Sequence, residues 1–231
     1  INMLLEKSDI TAIFLTLQLA SVSTIILLLI GLPLAWWLAR TPHRAKTLIE
    51  TFIAMPLILP PTVIGFYLLL AFAPNNILSQ AWENVFNSSL AFSFGGLVIG
   101  SVIYSLPFVV QPMQSVYERI PDLTLKTAAS LGASKFDQSL SIILPMTKRA
   151  TAASAALAFA HTIGEFGIVL MIGGNIPGET QVVSIALFEH VESMAYEEAH
   201  NLALLLLIFS FTTLVMINML SGKTKPRVRH A

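Results

Sequence analysis

Cysteine is absent from the 231 residues, so neither disulfides nor thiolate chemistry is available to this chain. Charge is scarce as well. Asp, Glu, Lys and Arg together make up 11% of the residues, against roughly 25% in soluble domains. Lysine and arginine are missing altogether from 75–94 and 173–199, which carry Glu83, Glu179, Glu189, Glu192, Glu197 and Glu198 instead. A phosphate-loop lysine is missing too. GGNIPGET at 173–180 has the glycine spacing, but Glu179 stands where the lysine belongs and would repel a phosphate. Pro177-Gly178 makes this stretch a turn. No Ser-His-Asp order, paired carboxylates or metal-ligand set stands out. The chain is expected to be no enzyme and to bind no metal and no cofactor itself.

What the sequence has in quantity is apolar residues, 55% of the total, with mean hydropathy +0.76. Five stretches, about 11–39, 52–74, 95–114, 150–172 and 200–220, are long enough to cross a bilayer, which takes roughly 20 helical residues. In hydrocarbon every backbone group must be satisfied internally, so these runs mean helices. The expectation is an all-α integral membrane protein with about five spans. A shorter, charge-interrupted helix at 181–195 is expected on the outer side. The first stretch exceeds the apolar core of a signal peptide, and no small-residue cleavage site follows it.

The basic residues sort the linkers. Arg40, Arg44 and Lys46 follow the first stretch. Arg119, Lys126, Lys135, Lys148 and Arg149 lie between the third and fourth. Lys223, Lys225, Arg227 and Arg229 follow the fifth, and only Lys7 lies elsewhere. By the positive-inside rule these loops are cytoplasmic, with the N-terminus outside and the C-terminus inside. The tail KTKPRVRH fits a topology anchor or a contact with anionic membrane lipid. Nothing in the pattern suggests nucleic acid as a partner. The chain reads as a single membrane domain, 1–231, whose longest cytoplasmic loop is 115–149.

Several spans are irregular. Pro56, Pro60 and Pro61 interrupt the second, and Pro107 and Pro112 the third. Each proline removes a helix hydrogen bond. Such breaks either are packing kinks or line a pathway. Gly96 and Gly100 form GxxxG, and ATAASAALAFA opens the fourth span with small residues on nearly every face, a pattern for close packing inside a bundle or against a second subunit. His161 and Glu165 are four apart, hence neighbours on one helix face. An ionisable group at membrane depth is a functional candidate. It reads as a proton relay, which would suit an ion-coupled secondary transporter, as a carboxylate hydrogen-bonded within the bundle, or as one close to the outer interface, where Gly164 and Gly167 loosen the helix around it.

In the 115–149 loop, Asp122 follows Pro121 and can cap a helix. That helix is expected to run to Leu131 and stop at Gly132, a residue type that accepts the left-handed position after a helix. Ser134-x-x-Asp137 is a variant capping box. It opens a second helix with Phe136, Leu140, Ile143 and Leu144 on one face, and Pro145 punctuates the entry to the fourth span.

KTAASLGASKFDQSLSIILP, residues 126–145, resembles the EAA loop of the membrane subunits of ABC importers: Gly132, Ile142 and Leu144-Pro145 fall at the family's spacing. Lys126, Thr127 and Ala128 stand where that family has Glu-Ala-Ala. GEFG at 164–167 and NIPGET at 175–180, with PLILPPTVIGFYLLL at 56–70, are similar to the molybdate permease subunits of that group. The resemblance implies a type I importer permease fold in a bacterial or archaeal cytoplasmic (inner) membrane. It implies a second copy of the chain, a cytoplasmic ABC ATPase dimer that uses ATP and Mg, and an extracytoplasmic oxyanion-binding protein. It also implies an ATPase-coupling surface of Asp122, Leu123, Lys126, Thr127, Ala128, Leu131, Gly132, Ala133 and Ser134. The pore or gate candidates are Pro60, Pro61, His161, Glu165, Phe166 and Asn175. The cargo class is a tetrahedral oxyanion, molybdate first, with tungstate and sulfate or thiosulfate as alternatives.

Overall fold

The structure is a computed structural model describing residues 6–221. The basic tail from Lys223 to Arg229 lies outside the described residues. Eleven α-helices follow one another among the described residues: α1 (Lys7–Arg40), α2 (Lys46–Ala54), α3 (Pro61–Ala71), α4 (Ile77–Phe86), α5 (Phe94–Glu118), α6 (Asp122–Ser130), α7 (Lys135–Gln138), α8 (Leu144–Ile163), α9 (Gly167–Gly173), α10 (Val183–Glu192) and α11 (Tyr196–Ser221). The chain is all-α, as its composition requires. Helices α1, α5 and α11 are each long and apolar enough to cross a membrane, and the count is five if two bent pairs are each one span.

Those two pairs bear out the irregularity expected of the second span and add a break in the fourth. The α2 side and α3 meet at 110°, and α8 and α9 at 60°. The first bend follows from its prolines. Pro56 sits in a 3-10 turn at Met55–Leu57, Pro60 is the N-cap of α3, and Pro61 its first residue, where a missing N–H costs nothing. The second bend falls at Gly164–Phe166, between α8 and α9. The prolines of α5 break nothing, since Pro107 and Pro112 lie inside one helix. Helix α4, unforeseen in the 75–94 linker, is capped by the Asn76 side chain and closed by Asn87 in the left-handed conformation. Helix α10 confirms a short helix within 181–195.

Helices α1 and α5 pack along each other, and α8 packs on both. The α5 GxxxG pair lets chain approach chain closely. A Cβ on Gly96 would fall on the Leu90 carbonyl, and one on Gly100 on the Ile172 side chain. Small-residue α8 packs against α1, α5 and α11. Two apolar clusters are stacked along the α1–α5 pair. One joins Leu15, Leu19, Leu97, Val98, Ile168 and Ile172. The other joins Leu27, Leu38, Val109, Val110, Met113 and Ala158. Between them in chain order come buried Ser23 and Thr24 on α1, Ser101 and Ser105 on α5, and Thr162 and Glu165 at the end of α8. A polar layer thus separates two oily ones.

Candidate functional site

Two constellations carry the chemistry. The first is the turn between α6 and α7. Helix α6 ends at Ser130, with Leu131 as its cap and Gly132 at φ +90°. The Gly132 N–H donates to the Ala129 carbonyl and the Ala133 N–H to that of Ala128, both at 3.0 Å. This is the paired-bond Schellman stop that only a left-handed residue closes easily. Ser134 then caps α7 reciprocally. Its hydroxyl accepts from the Asp137 N–H, and its own N–H donates to the Asp137 carboxylate, each at 3.1 Å. The Ser134 hydroxyl and N–H donors hold the Asp137 carboxyl below its ordinary range. The Gln138 amide donates back to the Ala133 carbonyl at 3.1 Å, so stop and start are fastened together.

Three details differ from expectation. Asp122 does not cap α6: it is the first helical residue, after an N-cap at Pro121. Its carboxylate pairs instead with Arg40. Pro145 does stand in the first turn of α8, but the chain reaches it without a break, through a π-helical turn at Ser139–Ile143. A widened turn is a usual way to pass a proline within a helix. And of the expected apolar face only Ile143 is buried; Phe136 is 70% exposed. No residue of α6 is buried, and Leu123 and Leu131 are 74% and 84% exposed. Lys126 is exposed and forms no ion pair among the described residues, so within the chain its sign has nothing to compensate.

Arg40, which the sequence showed only as a topology marker, is a structural tie. Besides Asp122, its guanidinium reaches the carbonyls of Tyr117 at 2.9 Å and Ile120 at 2.8 Å. It lies over the Trp36 ring, 4.9 Å from the centroid, and that ring meets Tyr117 edge-on. One side chain therefore ties the end of α1 to the end of α5 and the start of α6. Lys46 adds a link to Glu118 at 3.2 Å. Lysine cannot reproduce a planar fork with several donors. Arg40→Lys is expected to cost about 1–2 kcal/mol of stability. Thermal unfolding in detergent measures it; an unchanged midpoint would show that the fork is dispensable.

The second constellation lies in the polar layer, at the break between α8 and α9. Glu165 is 3% exposed. Ser101 donates to its Oε2 at 2.6 Å and Ser105 to its Oε1 at 2.7 Å. His161 Nδ1 lies 3.4 Å from Oε1 and 2.8 Å from the Ser105 hydroxyl. Ser184 of α10 donates to the Glu165 carbonyl. Each hydrogen bond replaces one that hydrocarbon cannot supply. Ser101 and Ser105 went unseen in the sequence, and their four-residue spacing on one face of α5 was the available signal.

The network borders a cleft of about 540 Å³ lined by Pro61, Thr62, Tyr104, Ala160, His161, Gly164, Glu165, Phe166, Gly167, Leu170 and Met171. The two bends meet here: a Cβ on Gly167 would lie 3.1 Å from Pro61 Cβ. Of the sequence candidates, Pro61, His161, Glu165 and Phe166 share the cleft, with Pro60 adjoining in sequence. Asn175 stands apart beyond α9, where its amide donates to Glu189 at 3.2 Å.

A family model described as "Binding-protein-dependent transport system inner membrane component" matches residues 31–230. A molybdenum transport system permease protein of Azotobacter vinelandii is 48% identical over 210 residues, 91% of this chain and 93% of that one. A sulfate transport system permease protein of Escherichia coli is 31% identical over 219 residues, 95% of this chain and 79% of that one. Among solved structures, a bacterial alginate ABC transporter with its periplasmic protein aligns over 94% of this chain and 79% of the other. Its TM-score is 0.73 at 14% identity, a likeness of fold.

Proposed function

The chain belongs to the binding-protein-dependent transport system inner membrane components, and on that premise we propose that it is the pore-forming permease subunit of an ATP-driven importer of molybdate. Membership makes it a multi-pass inner-membrane protein. The observation that supports the cargo most is the 48% identity to a molybdenum permease along nearly the whole chain. Sulfate is the second reading, favoured by the sulfate permease likeness at 31%.

In this reading two copies form the pore, an ATPase dimer lies beneath, and an oxyanion-binding protein delivers cargo from outside. The basic loops face the ATPase, so the N-terminus is outside and the C-terminus cytoplasmic. The α6–α7 turn docks on the ATPase through exposed Leu123, Leu131 and Phe136. ATP and Mg belong to that partner. Its motion reaches the membrane by two routes. One is the Arg40 fork, which binds α6 to α1 and α5. The other is the unbroken helical run Lys135–Ile163, which ends at the Glu165 break. At 1.5 Å per residue that run is a lever of about 43 Å. A ligand shifts such an equilibrium only by its differential affinity for the two states, so docking and cleft must change together.

The test is uptake by sealed vesicles holding this chain with its ATPase and binding protein. Molybdate should accumulate only with ATP inside the ATPase compartment, and excess sulfate should compete weakly. Accumulation on an ion gradient without the ATPase would sink the reading; equal competition by sulfate would move it to the second cargo.

A further inference from the structure

The polar layer fixes more than a fold. An ionised carboxylate only accepts hydrogen bonds, and a serine hydroxyl has one proton to give. Ser105 gives its proton to Glu165 Oε1. With Glu165 ionised, the Ser105 contact with His161 Nδ1, at 2.8 Å, runs the other way, with Nδ1–H as the donor to the serine oxygen. Glu165, 3.4 Å from Nδ1, reinforces that orientation. Tyr104 and Phe108 pack against the ring at tilted angles of 42° and 33°, with centroids 5.1 and 4.0 Å from its own. Nε2 is left without a protein partner among the described residues, on a ring that borders the cleft.

A histidine that keeps its proton on Nδ1 has two faces. When neutral, Nε2 offers a lone pair, which repels an oxyanion. When the ring takes a second proton, Nε2–H becomes a donor with a full charge beside it. No lysine or arginine lines the cleft. His161 is the one lining side chain that can become cationic. The titratable groups facing it are Glu165, from the break, and Tyr104, from α5; across the cleft α3 presents only Pro61 and Thr62. Discontinuous membrane helices meeting at such a layer are where transporters handle ions.

We propose that His161 is the oxyanion-contact residue of the pore and that it engages the anion only as the doubly protonated imidazolium, with Glu165 and Ser105 as the positioning residues that impose this. The ring takes up a solvated proton from the aqueous phase through the cleft as the dianion arrives and releases it there as the anion leaves. Glu165 balances the added charge. This rests on the importer reading above, and deepens it from a cargo to a contact.

The experiment uses the complete complex, permease with ATPase and binding protein, in sealed vesicles with labelled molybdate. Uptake is measured at several pH values. Because the contact requires a second ring proton, wild-type uptake should fall at least severalfold as the pH is raised from about 6 to about 8. His161→Gln keeps a donor that does not titrate, so its uptake should be flat across that range. His161→Leu should be slow throughout, while binding-protein-stimulated ATP hydrolysis reports that the complex assembles. A flat wild-type profile overturns the proposal, whatever the variants do. So does wild-type uptake by His161→Leu, or an unchanged slope in His161→Gln. If wild type carries no molybdate, the importer reading fails and this inference with it.

Discussion

Gly132→Pro is expected to abolish ATP-driven uptake while the membrane helices stay folded. Proline fixes φ near −65° and has no N–H, whereas this position sits at φ +90° and donates to the Ala129 carbonyl at 3.0 Å. Both requirements fail at once. The Ala133–Ala128 bond, which needs the same reversal of the chain, goes with them. The local cost is about 3 kcal/mol or more. Nothing lies within 4 Å of a Cβ at Gly132, so the loss comes from backbone geometry and not from crowding. Gly132→Ala keeps the N–H and suffers only the left-handed strain, of about 1–2 kcal/mol; it should retain part of the activity. The readouts are uptake and co-purification of the ATPase. Full uptake by the proline variant would show that the turn is a connector and not the element through which force passes.

Glu165→Leu should be nearly as damaging, from inside the membrane. Ser101 and Ser105 donate to the carboxylate, and His161 Nδ1 lies 3.4 Å from it. Leucine leaves the two serine donors without that acceptor and His161 without the neighbouring charge. A buried unsatisfied group costs about 1–3 kcal/mol. The serines can recover part by bonding the carbonyl one turn back, so the net loss should be about 2–4 kcal/mol. Thermal unfolding in detergent reads that loss, and uptake should fall with it. Glutamine, with one acceptor and one donor, should lie between. If Glu165→Gln abolished uptake while assembly and stimulated ATP hydrolysis stayed normal, the carboxylate would be a proton carrier and not a positioning group.

Much of this was legible before any coordinates. Long apolar runs can only be helices in lipid, and each of the five contains helix. Gly132 and the Ser134–Asp137 box announced their turn because capping is local chemistry, written within four residues. The bends were half legible. Proline says that a helix breaks but not by what angle; the 110° turn depends on α3 packing against α9, about a hundred residues away. Glycines around Glu165 hinted at loosening, not at a clean break. Ser101 and Ser105 were illegible for the same reason. Serine is ordinary in a membrane helix, and only a partner more than fifty residues away gives these two a role. Asp122 misled because a carboxylate after a proline looks like a cap until Arg40 claims it.

The π-helical turn at Ser139–Ile143 has a consequence for phase. An α-helix advances 100° per residue, and a widened turn absorbs about one residue's worth of arc. Side chains ahead of it are therefore out of register with those behind it by about that angle. Phe136 and Leu140 aim where an uninterrupted helix beginning at the Glu165 break would not send them. The turn works like the offset between two cams on one shaft: a single rotation of the rod would carry the side chains at its two ends in different directions.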